Sequence, residues 1–244
     1  MEIQIRNLKK CFGEKVAVNI ESYDIHSGDI LGLVGNNGAG KSTLFRLIMD
    51  LIKANEGNVT MVGEINGEHL EMDVTASEDW KQWTGAFIDE SFLIDYLTPD
   101  EYFQFVAKIC GVSNEELQSH LAKYEHFMGG EVCGQKKLIR TLSAGNKQKV
   151  GIIAAMIQQP QVLILDEPFN FLDPSSQHAI KHILQDYHEQ TGATILISSH
   201  NLTHTTDICP RIALLENGVI IRDIENVDNS AEKELEEYFE IEER

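Results

Sequence analysis

The chemistry of this chain begins at Gly35-Asn36-Asn37-Gly38-Ala39-Gly40-Lys41-Ser42, followed by Thr43. The spacing is G-x-x-x-x-G-K-[ST]. In that pattern the glycines let successive backbone N–H groups turn toward one anion. Lys41 would reach the outer phosphates of a nucleoside triphosphate, and the Ser42 hydroxyl would bind Mg²⁺. A Gly-rich turn without a ligand is the alternative. The context opposes it: the apolar run Ile30–Val34 leads into the motif and a helical pattern over 41–52 leaves it. The positive end of that helix points at the phosphates.

A second apolar run, 162–165, delivers two adjacent carboxylates, Asp166 and Glu167, before Pro168. Neighbouring strand residues point opposite ways. The pair therefore suits two tasks, Asp166 in the outer shell of a metal and Glu167 toward an attacking water. A polar strand end is the bland alternative. A third run, 193–197, ends in Ser198-Ser199-His200. Elsewhere, Leu142-Ser143-Ala144-Gly145-Asn146-Lys147-Gln148 opens a helix with Ser143 as N-cap. Val150, Ile153, Ala154 and Ile157 give it an apolar stripe. A serine, a glycine and a fresh helix terminus make a second anion site, although the local pattern alone favours an ordinary capped helix.

These residues need a scaffold that brings strand ends to one rim. The three runs are near-continuous in apolar residues, as parallel strands covered on both faces should be. In open α/β sheets, ligands bind beyond the carboxyl ends of the strands. Residues 2–8 and 16–25 alternate more and predict antiparallel strands. Helix-period stretches at 101–109 and 114–128 predict a helical lobe inserted into the core, and 175–190 a further helix. The expected fold class is α/β: a P-loop NTPase core with an N-terminal antiparallel β region and an inserted α-helical lobe. The core spans about 1–98 and 158–227, the lobe about 99–157, and an acidic helix about 228–244. In that tail Asn229 and Glu232 could form a capping box, with Leu235, Tyr238 and Phe239 as a narrow stripe on an otherwise solvated helix.

Composition narrows the function classes. Asp and Glu number 39 against 20 Lys and Arg, a formal net charge of −19. Phosphate-backbone binding needs a basic footprint, so direct nucleic-acid binding is not expected. No run approaches the ~20 apolar residues of a membrane helix, and the first residues lack an apolar signal core. The four cysteines, Cys11, Cys110, Cys133 and Cys209, form no C-x-x-C pair, which fits a reducing cytosol.

The order of motifs (phosphate loop, Leu-Ser-x-Gly, strand ending Asp-Glu-Pro, histidine after Ile-Ser-Ser) resembles that of ATP-binding cassette (ABC) ATPases, over about residues 1–221. The resemblance implies ATP and Mg²⁺ as cofactors, with residues 35–43 as the phosphate loop. Phe12 stands where the family usually stacks a tyrosine on adenine, though Phe12 could equally be core. Ser143 and Gly145 look like the signature that binds the γ-phosphate held by a second subunit. Glu167 looks like the catalytic base, His200 like the switch histidine, and Leu172-Asp173 like the loop that touches the opposite subunit. Ser42 and Asp166 would serve the metal.

One departure stands out. Where the family normally has a glutamine contacting Mg²⁺ and the membrane partner, Asp89 takes the position, with Glu90 the adjacent alternative. A carboxylate can hold Mg²⁺ or a water; it cannot donate a hydrogen bond as an amide does. This resembles the branch serving drug and antibiotic exporters. The expected function is the ATP-hydrolysing subunit of a membrane exporter. It would be cytoplasmic and peripheral on the membrane through a separate transmembrane permease, and would form a homodimer, or a heterodimer with a related cassette, around ATP. The alternatives are a soluble ABC ATPase of translation or DNA maintenance and a regulatory nucleotide-binding module. His178 and His182, four apart, lack the glutamate of zinc hydrolases and read as surface histidines. Trp80, Trp83, Phe87 and Phe92 could be a docking surface or core.

Overall fold

The computed structural model describes residues 1–65, 67–227 and 230–242. Among them the strands form two sheets. The first is antiparallel, with β1 (Glu2–Phe12), β2 (Lys15–Ile25), β4 (Glu56–Ile65) and β5 (Glu68–Asp73) in the order β2-β1-β4-β5. The second holds β3 (Ile30–Val34), β6 (Thr84–Phe87), β7 (Val162–Asp166), β8 (Thr194–Ser199), β9 (Arg211–Glu216) and β10 (Val219–Glu225). Its order is β10-β9-β3-β8-β7-β6, parallel except for the β9–β10 hairpin. Helix α1 (Lys41–Ile48) follows β3. The lobe carries α2 (Pro99–Ile109), α3 (Asn114–Lys123), α4 (Glu125–Met128) and α5 (Ala144–Ala155). Then come α6 (Pro174–Thr191), α7 (Leu202–Thr206) and α8 (Ser230–Glu242).

The alternation of strand side chains divides the core. Leu31, Leu33, Ile164 and Leu196 face α1 (Leu44, Phe45, Ile48) and the antiparallel sheet (Ile3, Ile5, Met61). Ile30, Val34, Leu163, Leu165, Ile195 and Ile197 face the lobe (Phe103, Val150, Ile153) and α6 (Ile180, Leu184). Burying one such side chain contributes roughly 1.5–3 kcal/mol, so both faces must stay covered, and every residue of β3, β7 and β8 is buried. Register then levels the strand ends: Asp166 pairs with Ser198 and Val34 with Ser199. The three polar clusters meet on one rim.

Several local expectations are corrected. Helix α1 stops at Ile48, not at residue 52. Asp50 takes a left-handed φ of 48°, and the Leu51 N–H closes back on the Arg46 carbonyl at 2.8 Å, a Schellman-type stop. The 114–128 pattern breaks at Tyr124, which ends α3 and starts α4. Helix α5 ends at Ala155, short of Ile157. It is buried nearly all round rather than along a stripe, because it lies between the sheet and the lobe helices. The tail does form a helix, α8, with Lys233 and Glu234 exposed and its stripe docked: Ala231, which the sequence reading left out, and Leu235 join the main core. Asn226 ties that helix down. Its amide donates to the carbonyls of Thr206 (2.7 Å) and Cys209 (2.9 Å), and its oxygen accepts from the Ala231 N–H (3.2 Å). The Asn229 capping box and the Phe239 side chain lie outside the described residues.

Candidate functional site

The loop between β3 and α1 lines a cleft of about 530 Å³ together with Phe12, Lys15, Ala17, Glu167, Asn170 and His200. Gly40 has φ 113°, and a Cβ there would meet the Ala17 carbonyl oxygen at 2.3 Å, so only glycine closes the loop onto β2. Lys41 is buried. Its ammonium donates to the Gly35 carbonyl at 2.7 Å and lies 3.7 Å from Glu167 Oε1. A cation held this way, above a loop opening a helix, is chemistry suited to phosphate oxygens. Phe12 is 54% exposed, so it is not core, and the Lys10 ammonium lies 5.0 Å from its ring centroid.

Across the cleft Asp166, the last residue of β7, and Glu167, just beyond it, have different partners. Asp166 is buried and accepts hydrogen bonds from the Ser198 and Ser42 hydroxyls. Burial pushes its carboxyl above the ordinary value, and those hydroxyls pull it partly back. A buried carboxylate bonded to the phosphate-loop serine is a donor set that suits a hard cation such as Mg²⁺. Glu167 Oε2 accepts from His200 Nδ1 (2.8 Å) and the His200 N–H (3.3 Å). Its backbone is left-handed, φ 49°, a conformation costing about 1–3 kcal/mol in a non-glycine residue. Two flanking bonds hold it there: Ser198 Oγ accepts from the Glu167 N–H (2.8 Å), and Gln148 Nε2 donates to its carbonyl (3.1 Å). Neither Ser198 nor Gln148 was given a role from the sequence. The available signal was a polar residue at a buried position of an apolar element.

Asp89 and Glu90 leave the end of β6 in different directions. The Asp89 oxygens accept from Arg46 on α1 (3.0 Å) and from the Ser91 N–H (2.8 Å) and hydroxyl. Burial pushes this carboxyl up, but Ser91 and Arg46 outweigh it and hold it below the ordinary range. Glu90 pairs with Lys147 on α5 at 2.9 Å. Both oxygens of Asp89 are thus engaged by protein donors, and the adjacent carboxylates grip one helix of the core and one of the lobe.

Ser143 and Gly145 lie elsewhere. Ser143 caps α5, accepting from the Asn146 N–H at 3.2 Å. Both residues line a separate cleft of about 640 Å³ with Lys149 and Phe171–Asp173. The two clefts share no lining residue. Gly145 is required by close approach, since a Cβ there would sit 2.6 Å from the Phe171 carbonyl oxygen. Asp173 is the N-cap of α6, accepting from the Ser175 and Ser176 N–H groups. Phe171, which the sequence did not mark, combines φ 63° with 74% exposure.

The remaining candidates divide. His178 and His182 contact one another (Nε2 to Nε2, 3.0 Å), and no group of three or more metal-competent side chains occurs among the described residues. Trp80 and Phe87 are core, whereas Phe92 is exposed beside a groove of about 190 Å³ lined by Phe87, Tyr102, Val106 and Ala154.

Residues 18–170 match the family described as ABC transporter. The chain belongs to that family. It is 33% identical over 219 residues to the linearmycin resistance ATP-binding protein LnrL of Bacillus subtilis (strain 168), covering 90% of this chain and 68% of that protein. It is 31% identical to the tungstate uptake system ATP-binding protein TupC of Peptoclostridium acidaminophilum, covering 89% of this chain and 96% of that one. An ATP-binding subunit of an ABC transporter superposes with a TM-score of 0.79 at 25% identity, over 96% of this chain and 94% of that one. A dimeric post-hydrolysis cassette bound to ADP and Pi, MJ0796, gives 0.77 at 23% identity, over 92% and 99%. The protein is an ABC ATPase, an ATP-binding subunit of a transporter, with the P-loop core, antiparallel β region and helical lobe of that fold. ABC ATP-binding subunits work with a membrane permease. Among the described residues no helix is long and apolar enough to cross a membrane.

Proposed function

We propose that this chain drives an exporter by closing, with a second cassette, around two ATP molecules. The observation that carries the reading is the separation of the two clefts: one chain presents a cation and a base in one place and a capped helix terminus in another. Each is half of a nucleotide site. A homodimer, or a heterodimer with a related cassette, would complete both halves.

In that assembly residues 35–43 cradle the phosphates, Lys41 takes the β- and γ-phosphates, and Phe12 offers its ring to the base. Ser143 and Gly145 of the opposite chain meet the γ-phosphate. Glu167 accepts a proton from the attacking water, and His200, already bonded to it, orients that carboxylate and contacts the γ-phosphate. Ser42 and Asp166 would hold Mg²⁺, which would supply charge neutralisation on the phosphate oxygens. Asp89 was expected among the metal residues; its engagement by Arg46 and Ser91 supports a tether between α1 and the segment after β6 instead.

Core, lobe and tail divide near residues 98, 157 and 227. The exposed Phe92 groove between core and lobe is the surface offered to a transmembrane permease, which would hold the chain at the inner membrane face. Export is favoured by the carboxylate at position 89 and by the likeness to a resistance protein, against relatives that serve uptake. The test is light scattering of Glu167→Gln with saturating ATP. Mass should double with ATP and stay single without it, and a chain that remains monomeric removes the sandwich.

A further inference from the structure

Three lysines stand around the Phe12 end and the loop of the Lys41 cleft, and two of them are engaged. Lys41 donates to the Gly35 carbonyl and lies beside Glu167. Lys10 donates to the Lys53 carbonyl at 2.7 Å, with its ammonium over the Phe12 ring. Lys15 differs. It lines the cleft, yet its ammonium has no hydrogen-bond or ion-pair partner among the described residues, in a chain of formal charge −19. That ammonium stands 3.9 Å from the point where a Cβ on Gly38 would lie, so it reaches the phosphate loop.

Strand register accounts for its place. Lys15 opens β2 directly opposite Phe12, the last residue of β1. The side chains of such a pair leave the same face of the sheet, with Cβ atoms about 5 Å apart. Ala17, two residues on and so on that face, lines the cleft as well. The ammonium is thus set between an aromatic ring and the N–H groups of the loop. A nucleotide laid with its base on the ring and its outer phosphates at Lys41 brings one anion past that point, the phosphate next to the ribose. Resting on the reading of this cleft as the nucleotide cleft, we infer that Lys15 binds the α-phosphate. Lysine is a compact point charge with three donors on a flexible stem, suited to the oxygens of one phosphate. ADP and ATP share that phosphate, so the contact holds both equally. Lys15 selects a nucleotide over a nucleoside, while Lys41 grades the number of phosphates.

The experiment measures AMP, ADP and ATP binding to the full chain by displacement of a fluorescent ADP analogue, with Mg²⁺ withheld so that ATP is not turned over. Lys15→Ala should weaken all three nucleotides by the same factor, about tenfold, the scale of one hydrogen bond to a charged group. Lys15→Arg keeps the cation and should stay within about threefold of the parent. Lys41→Ala should lose more affinity at each step from AMP to ATP. Lys53→Ala removes the same charge outside the cleft and should change nothing, which separates a direct contact from a weakened positive field. In steady state with Mg²⁺, Lys15→Ala should raise KM for ATP and leave kcat alone, the mark of a contact made equally before and during the reaction. Unchanged affinity in Lys15→Ala, a loss absent from AMP, or an equal loss in Lys53→Ala overturns the contact while Lys41→Ala still weakens ATP. If Lys41→Ala also binds ATP as the parent does, the nucleotide reading of the cleft falls with it.

Discussion

The cleft around Lys41 and the cleft around Ser143 are built on different principles. The first is furnished from buried main-sheet ends. Its cation, its base and its histidine already touch one another, with Lys41 and His200 both directed at Glu167. The second is a capped helix terminus on the lobe, lined by exposed loops. One cleft pairs Lys41 with its own carboxylate at rest and must exchange that pair for phosphate; the other offers a helix terminus and a hydroxyl, with Asn146 bonded to Glu131 at its edge. The difference teaches that binding and commitment are separable. On the proposed reading, ATP affinity belongs to the first cleft in a single chain, and turnover needs the second from another cassette.

The comparison breaks most visibly at Glu167. Glu167→Gln keeps shape and removes basicity, so turnover should fall by roughly 10²–10⁴ while ATP still binds; steady-state phosphate release measures it, and normal turnover would assign the base elsewhere. Lys41→Ala comes next. It removes a charge-assisted phosphate contact, which should weaken ATP by about 10- to 100-fold in calorimetry of the isolated chain. Ser143→Ala sharpens the contrast. Turnover should fall by about tenfold from a lost hydrogen bond to an anion, and the ATP affinity of the monomer should not move. A parallel fall in monomer affinity would mean that the clefts are not independent. The smallest effect is expected at Asp89. Asp89→Asn weakens the grip on Arg46, a half-exposed pair worth on the order of 1 kcal/mol or less. The Mg²⁺ concentration for half-maximal ATPase should stay unchanged, and a clear rise would return Asp89 to the metal.

The legible parts of the site were those carried by contiguous residues. The loop 35–43, the strand ending Asp166-Glu167 and the Ser143 cap are each local patterns whose backbone conformation follows from residue type. Strand alternation was the sequence's ground for giving Asp166 and Glu167 different tasks, but Glu167 lies beyond β7 with a left-handed backbone, so its direction comes from that turn instead. What stayed hidden depends on contacts between distant segments. Arg46 and Asp89 meet only once α1 packs beside the end of β6, and Lys147 and Glu90 only once the lobe has folded against the sheet. The partner of Gln148, the Glu167 carbonyl, lies 19 residues away in sequence and meets it only in the folded chain. The left-handed backbone of Phe171 contradicts its residue type, so propensity pointed away from it. Helix α1 reads too long because Leu51 and Ile52 extend its apolar period, whereas the turn at Asp50 ends it.

Asn226 has a mechanical consequence. Only His200 and Asn201 separate the end of β8 from the start of α7. The far end of α7 is stitched through the Asn226 amide to Cys209 and to the first turn of α8. The histidine therefore rides on a beam clamped at both supports, not on a free arm. A segment tied at both ends has fewer ways to turn its side chain aside than a loop anchored at one end only.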